Sequence, residues 1–200
     1  VLQACTARLV QVLSLNSRDS MLAPRRIQAH GPLHIRRASA FSGIIGSMTA
    51  LFSIDLQAVR IVRAETKTQI LGALADCFGE VYGLDRETVL ERIEERETLG
   101  STGFGRGVAI PHARLETLAR PVAAFFRLQR PVDFSSSDGM PVDCVFGLLS
   151  PEQAGATHLQ ALAAISRLMR DERMHERLIA APDADAIYAL LVNVIDRDAA

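Results

Sequence analysis

The chain has no tryptophan, two tyrosines and a single lysine, Lys67, so arginine supplies all but one of its 22 basic residues. We read that excess of arginine as genomic bias rather than phosphate recognition. Its three cysteines (Cys5, Cys77, Cys144) are an odd number without paired spacing. That argues against a disulfide framework or zinc ribbon and for a reducing cytoplasm. No apolar run reaches the roughly 18 residues of a membrane span. Residues 1–15 are partly apolar, but Arg8 interrupts them and no cleavage-like continuation follows, which argues against a secretory signal.

What is present is one domain's worth of chain with an extension: 200 residues, 48% of them hydrophobic. The net charge of −1 conceals an asymmetry. Residues 1–47 carry six arginines against one acid, Asp19, while residues 48–200 are net acidic. The basic part is rich in serine and lacks sustained periodicity. Such a stretch suits a transit peptide, a nucleic-acid-binding arm, or sequence translated from upstream of the true start.

Beyond it the pattern becomes regular. A strand-like or irregular lead ends near Ala64. Thr66 reads as the N-cap of a helix with Ile70, Leu71, Leu74, Ala75 and Phe78 on one face, closed by Gly79 and Gly83. Asp85 caps a second helix, with Val89, Leu90 and Ile93 inward, that ends at Leu99–Gly100. Val108–Ile110, Val122–Leu128 and Val142–Leu149 read as strands, the last buried on both faces. Pro131–Gly139 is expected to be loop. Thr157, Asp171 and Asp183 read as the openings of three further helices. Two helices, a cluster of strands and three helices define an α/β fold, a single domain with a central sheet flanked by helices.

One stretch carries chemistry: Gly100-Ser101-Thr102-Gly103-Phe104-Gly105-Arg106-Gly107-Val108-Ala109-Ile110-Pro111-His112. Alternate glycines let the backbone turn sharply and approach a ligand, and their N–H groups can line an anion hollow. A Walker loop needs a lysine that is missing here, and glycines at every second position break the dinucleotide fingerprint. The histidine that ends the stretch is a nucleophile, a base or a metal ligand.

These residues resemble the enzyme IIA family of the bacterial phosphotransferase system, in its fructose/mannitol and nitrogen-regulatory branch. The resemblance rests on Glu95-Arg96-Glu97-Thr98-Leu99-Gly100-Ser101-Thr102-Gly103, Gly105, Gly107 through His112, Pro141-Val142-Asp143, Val145–Leu149 and Thr157-His158-Leu159, and spans about Leu51 to Leu191. The phrase from Arg96 to Ser101 looks most like the nitrogen-regulatory members. The resemblance implies a mixed, mostly parallel sheet. It also implies that His112 accepts a phosphoryl group from an HPr-like phosphocarrier protein. With a bacterial relationship in view, residues 1–47 are expected to lie upstream of the natural start, Met48 or failing that Met21.

Phosphoryl transfer needs in-line positioning and neutralised oxygens rather than covalent assistance. Arg96 can supply a guanidinium fork. Ser101 and Thr102 can donate hydroxyls, and Gly103 with the backbone to Gly107 can donate N–H groups to phosphate. His158, expected just after a Thr157 cap, sits where a helix dipole favours an anion. The resemblance implies that it orients or stabilises phosphorylated His112, its own charge state being open. No cofactor beyond the covalent phosphoryl group, no metal and no nucleic-acid partner are expected. His30, His34 and His175 read as surface residues, and Phe104 as either a partner contact or a core residue.

Two departures from the family pattern stand out. Arg106 replaces a common asparagine, and Ala113-Arg114 replaces a common glycine and lysine. The leading expectation is a cytoplasmic carrier that regulates other proteins, with a potassium transporter or a sensor kinase among the candidate targets. The alternatives are a sugar-specific IIA passing phosphate to a IIB partner, and a binding module that works without phosphate.

Overall fold

The computed structural model describes residues 51–197. The basic extension at 1–47, Met48, Cys5, His30 and His34 therefore lie outside the described residues.

The chain runs β1 (Ser53–Val62), α1 (Lys67–Tyr82), α2 (Arg86–Thr98), β2 (Gly103–Gly105), β3 (Val108–Ala109), β4 (His112–Leu115), β5 (Val122–Val132), β6 (Val142–Pro151), α3 (Gly155–Arg170), α4 (Glu172–Ala180) and α5 (Ala184–Arg197). The helix starts follow local chemistry. Thr66 accepts the N–H of Gln69, Asp85 that of Thr88, Asp171 those of Arg173 and Met174, and Asp183 that of Ala186. Gly83 closes α1 in the left-handed conformation (φ 68°) that suits glycine. Gly79 lies inside that helix rather than at its end.

The sheet is ordered β1-β5-β6-β3-β2, with β4 also paired to β6. β1/β5, β3/β6 and β4/β6 are parallel, whereas β5/β6 and β2/β3 are antiparallel. The sheet is thus mixed and mostly parallel, as expected. β3 meets Cys144 and Val145 of β6, and β4 meets Leu148 through Pro151. The two short strands follow one another along a single edge of β6, broken at Ile110–Pro111.

Alternation along the central strands divides the core between two helical layers. Ala124, Phe126, Val145 and Leu149 face Ile70, Leu74, Phe78, Val89 and Ile93 of α1 and α2. Ala123, Phe125, Phe146 and Leu148 face Ile165, Met169, Leu178, Ile187 and Leu191 of α3 to α5. Each fully buried Phe or Leu contributes about 1.5–3 kcal/mol. Close approach of α1 requires Gly147, because a Cβ there would lie 2.8 Å from Leu74 Cδ2 and 3.1 Å from Phe78. On the other face, the Arg127 guanidinium donates to the carbonyls of Leu178, Ile179 and Ala181, satisfying the open end of α4.

Four expectations are corrected. The glycine run, read above only as sharply turning backbone, includes a strand: Gly103–Gly105 pairs with β3 as a hairpin. The chain resumes pairing after Pro111, so His112 opens a strand. β5 extends through Val132, and Phe134 beyond it is fully buried. Finally, α3 begins at Gly155 with Ala154 at the cap and no side-chain cap bond, placing Thr157 inside the first turn. The turn leaving β6 at Pro151 sets that start, so Thr157 has no capping role.

Candidate functional site

Three elements converge at one edge of the sheet. The last turn of α2 supplies Arg96, the first residue of β4 supplies His112, and the first turn of α3 supplies His158. The Nε–H of Arg96 donates to Nε2 of His112 at 3.1 Å, and its terminal nitrogen donates to the Gly100 carbonyl at 3.0 Å. The Nδ1 of His112 lies 2.8 Å from the Ile110 carbonyl oxygen. A carbonyl only accepts, so Nδ1 carries the proton and Nε2 presents its lone pair.

The His158 ring stands 5.5 Å from that of His112, centroid to centroid, tilted by 46°. It is 5% exposed, and its Nδ1 lies 2.8 Å from the Ser150 hydroxyl. Its backbone N–H is bonded to Ala154 at 2.7 Å. The free donors of the helix start are therefore those of Gly155 to Thr157 rather than its own.

Both imidazoles are neutral at pH 7. Burial lowers the pKa of His112, and the Arg96 charge adds to this against the opposing Ile110 carbonyl. Burial, with the fields of His112, Arg114 and Arg96, pushes His158 down to about 4. Burial and the neighbouring charges thus favour the neutral form of His158, the charge state that the sequence left open.

His112 lines two cavities. One, of about 660 Å³, is shared with Arg96, Arg114, His158, Leu99 and Leu159. The other, of about 370 Å³, runs past Ser101, Thr102, Gly103 and Phe104. Leu99 is 82% exposed and Leu159 63%. Phe104 lies half-buried under the Arg170 guanidinium, 5.1 Å from ring centroid to Cζ, and packs on the α3–α5 side of the core.

Ser101, Thr102 and Gly103 line the site, but their donors are engaged. The Ser101 hydroxyl donates to the Phe134 carbonyl at 2.8 Å and accepts the Gly103 N–H at 3.1 Å. Thr102 donates its N–H and hydroxyl to Glu97 at 2.8 and 2.6 Å. The expectation that these groups point at an anion is corrected: here they fasten the segment. Glu97 is the post, pairing also with Lys67 at 2.5 Å. Burial raises its pKa, but hydrogen bonds from Lys67 and Thr102 outweigh that and hold it low.

Glu97 and Lys67 carry no role in the sequence reading. Nor does Ser150, whose only signal is a hydroxyl near the end of a nearly all-apolar strand. Ala113, where a glycine is common, packs its methyl into the core. His175 is no plain surface residue: its Nε2 meets Asp143 Oδ1 at 2.8 Å, a hydrogen bond that raises its pKa. Among the described residues, Asp143, Cys144 and His175 form the one group with three metal-ligand atoms within 4.8 Å. The Cys144 thiol is fully buried, which drives its pKa up and keeps it protonated.

The mixed α/β sheet thus places a lone-pair-bearing imidazole beside a guanidinium and a second imidazole at one rim. Residues 53–194 match the family model described as "Phosphoenolpyruvate-dependent sugar phosphotransferase system, EIIA 2". The chain belongs to this enzyme IIA family of phosphotransfer carriers. It is 48% identical over 130 residues to a nitrogen regulatory protein of Bradyrhizobium diazoefficiens, spanning 65% of this chain and 85% of that one. A nitrogen regulatory protein of Pseudomonas aeruginosa is 42% identical over 130 residues, spanning 64% and 84%. The crystal structure of the nitrogen regulatory protein IIA-Ntr from Neisseria meningitidis superimposes with a TM-score of 0.64 at 32% identity, covering 69% of this chain and 95% of that chain.

Proposed function

We propose that this chain is a regulatory phosphocarrier in which Nε2 of His112 accepts a phosphoryl group from the phosphohistidine of an HPr-like protein. The observation that carries this is the pair of hydrogen bonds on His112, from Nδ1–H to Ile110 and from Arg96 to Nε2. The Nε2 lone pair forms the new N–P bond while the donor's P–N bond breaks and returns its electron pair to the donor ring. A donor phosphoimidazolium then leaves as neutral imidazole, and the positive charge passes to the His112 ring. The Ile110 carbonyl on Nδ1–H stabilises that charge.

Arg96 lies on the accepting nitrogen and would transfer its donors to the phosphoryl oxygens as the bond forms. His158 flanks the same position as a second polar contact. Ser101, Thr102 and Gly103 form the wall of the phosphate pocket and fix its floor through Glu97. No cofactor is required beyond the covalent phosphoryl group. The names of the 48% and 42% identical relatives favour a nitrogen-regulatory role over delivery to a sugar-specific IIB partner. A cytoplasmic location fits a carrier whose described helices are too short and polar to cross a membrane.

The test is incubation with enzyme I, the HPr-like donor and phosphoenolpyruvate, followed by mass spectrometry. An acid-labile, base-stable phosphate on His112, lost in His112→Ala, is expected. Label elsewhere, or none with an active donor, overturns the reading. Rapid onward transfer to a IIB domain and sugar would replace the regulatory role with a transport role.

A further inference from the structure

The two neighbouring imidazoles of the site are held by partners of opposite hydrogen-bonding character. His112 Nδ1 faces a backbone carbonyl, which accepts only. His158 Nδ1 faces the hydroxyl of Ser150, which has one hydrogen to give and lone pairs to offer. Ser150 is fully buried near the end of β6, with its Cα opposite Arg114 of β4.

Among the described residues, His158 Nδ1 is the one hydrogen-bond partner of the Ser150 hydroxyl. If the ring donated, the serine hydrogen would be left without an acceptor in a place closed to water. A buried donor left unpaired carries its whole desolvation penalty, whereas a hydroxyl lone pair without a partner is the lesser loss. The hydroxyl therefore donates, and Nδ1 of His158 accepts.

We propose that Ser150 is a positioning residue: its hydroxyl locks His158 into the Nε2–H tautomer, opposite to the Nδ1–H tautomer that Ile110 imposes on His112. The consequence for phosphate rests on the phosphocarrier reading above, while the tautomer itself rests on geometry alone. With Nδ1 occupied by Ser150, His158 offers the far side of its ring as a neutral N–H donor. It lines the same cavity as His112. A phosphoryl oxygen on His112 then meets a hydrogen instead of a lone pair. The reverse tautomer would turn a lone pair toward the anion and repel it. Ser150 touches neither the phosphoryl group nor His112 and acts wholly through the ring it orients.

The test uses the full chain labelled with ¹⁵N and long-range ¹H–¹⁵N correlation of its imidazoles at pH 7.5. His158 is expected with a bare Nδ1 and a protonated Nε2, and His112 with the reverse. Ser150→Thr keeps the hydroxyl and keeps this signature. Ser150→Val, of the same shape without the hydroxyl, loses it and sheds phosphate from His112 about tenfold faster. Ser150→Ala serves the same purpose if the valine variant does not fold.

A protonated Nδ1 on His158 in the unaltered chain overturns the proposal, as does a signature unchanged in the valine or alanine variant. A lost signature with an unchanged phosphate lifetime overturns the stated consequence. A chain that is never phosphorylated defeats the carrier reading and leaves the tautomer result to be judged by the spectra.

Discussion

The Nε–H of Arg96 points at Nε2 of His112 from 3.1 Å, so the guanidinium already occupies the direction from which a phosphorus atom would approach. If His112 accepts a phosphoryl group as proposed, the donor that now orients the ring would turn to the incoming oxygens. Its second anchor on the Gly100 carbonyl limits how far it can travel.

Arg96→Lys keeps a charge but loses the planar fork that reaches His112 and Gly100 together. Phosphorylation by the donor is expected to slow by about ten- to a hundredfold, on the order of a charge-assisted hydrogen bond. Rapid-quench measurement of phosphate uptake checks this, and an unaltered rate would remove Arg96 from the site's chemistry.

Acceptance needs neutral His112, whose pKa lies below the ordinary 6.5. Uptake is therefore expected to reach half its maximum only below pH 6.5. A half-maximal rate at or above pH 6.5 contradicts this, and a pH–rate profile with saturating donor measures it.

The depressed pKa of His158 also bears on stability. Between about 4 and 6.5 the unfolded chain binds the proton that the folded chain refuses, so stability rises with pH across that window and is level above it. The shift corresponds to about 3 kcal/mol between the two ends, as an upper bound. His175, with a raised pKa, acts with the opposite sign, and its contribution is lost as pH rises through its folded value. His158→Gln is expected to flatten the acid limb of a plot of urea midpoint against pH.

Arg106 and Gly107 form a two-residue hairpin turn with φ of 55° and 78°. The mirror-image turn that suits strand twist demands this, and asparagine tolerates the first position better than arginine. Arg106→Asn is expected to stabilise the chain by about 0.5–1 kcal/mol. The Asp138 carboxylate accepts the backbone N–H at this position, which the change preserves. The exposed contact of Arg106 with Glu172 at 3.4 Å contributes little. Denaturant unfolding measures the shift, and a lower midpoint refutes it.

Gly147→Ala would drive a methyl into Leu74 and Phe78. A loss of about 1–3 kcal/mol follows from overpacking where α1 meets β6. Denaturant unfolding measures the loss, and an unchanged midpoint refutes it.

The caps at Thr66, Asp85, Asp171 and Asp183 were legible because a cap is decided within four residues of chain. So was β6, whose nearly all-apolar run announces burial on both sides. β2 and β4 were not legible, because strands of three and four residues exist only through the neighbour they pair with. The Thr157 signal misled because the departure of the chain from β6, not the hydroxyl, sets the first turn of α3. His112, Arg96 and His158 could be named from motif, yet the engagement of Ser101 and Thr102 by Phe134 and Glu97 could not. The Ser101–Phe134 bond joins residues 33 apart in sequence, and the Thr102–Glu97 bonds depend on how the chain turns out of α2.

Arg96 belongs to the helices on one side of the sheet and His158 to those on the other, with His112 on the rim between them. An intermediate with only one flank docked would present an imidazole missing half of its companions. If His112 carries a phosphoryl group as proposed, only a chain whose two flanks have both closed would surround it with Arg96 and His158 together.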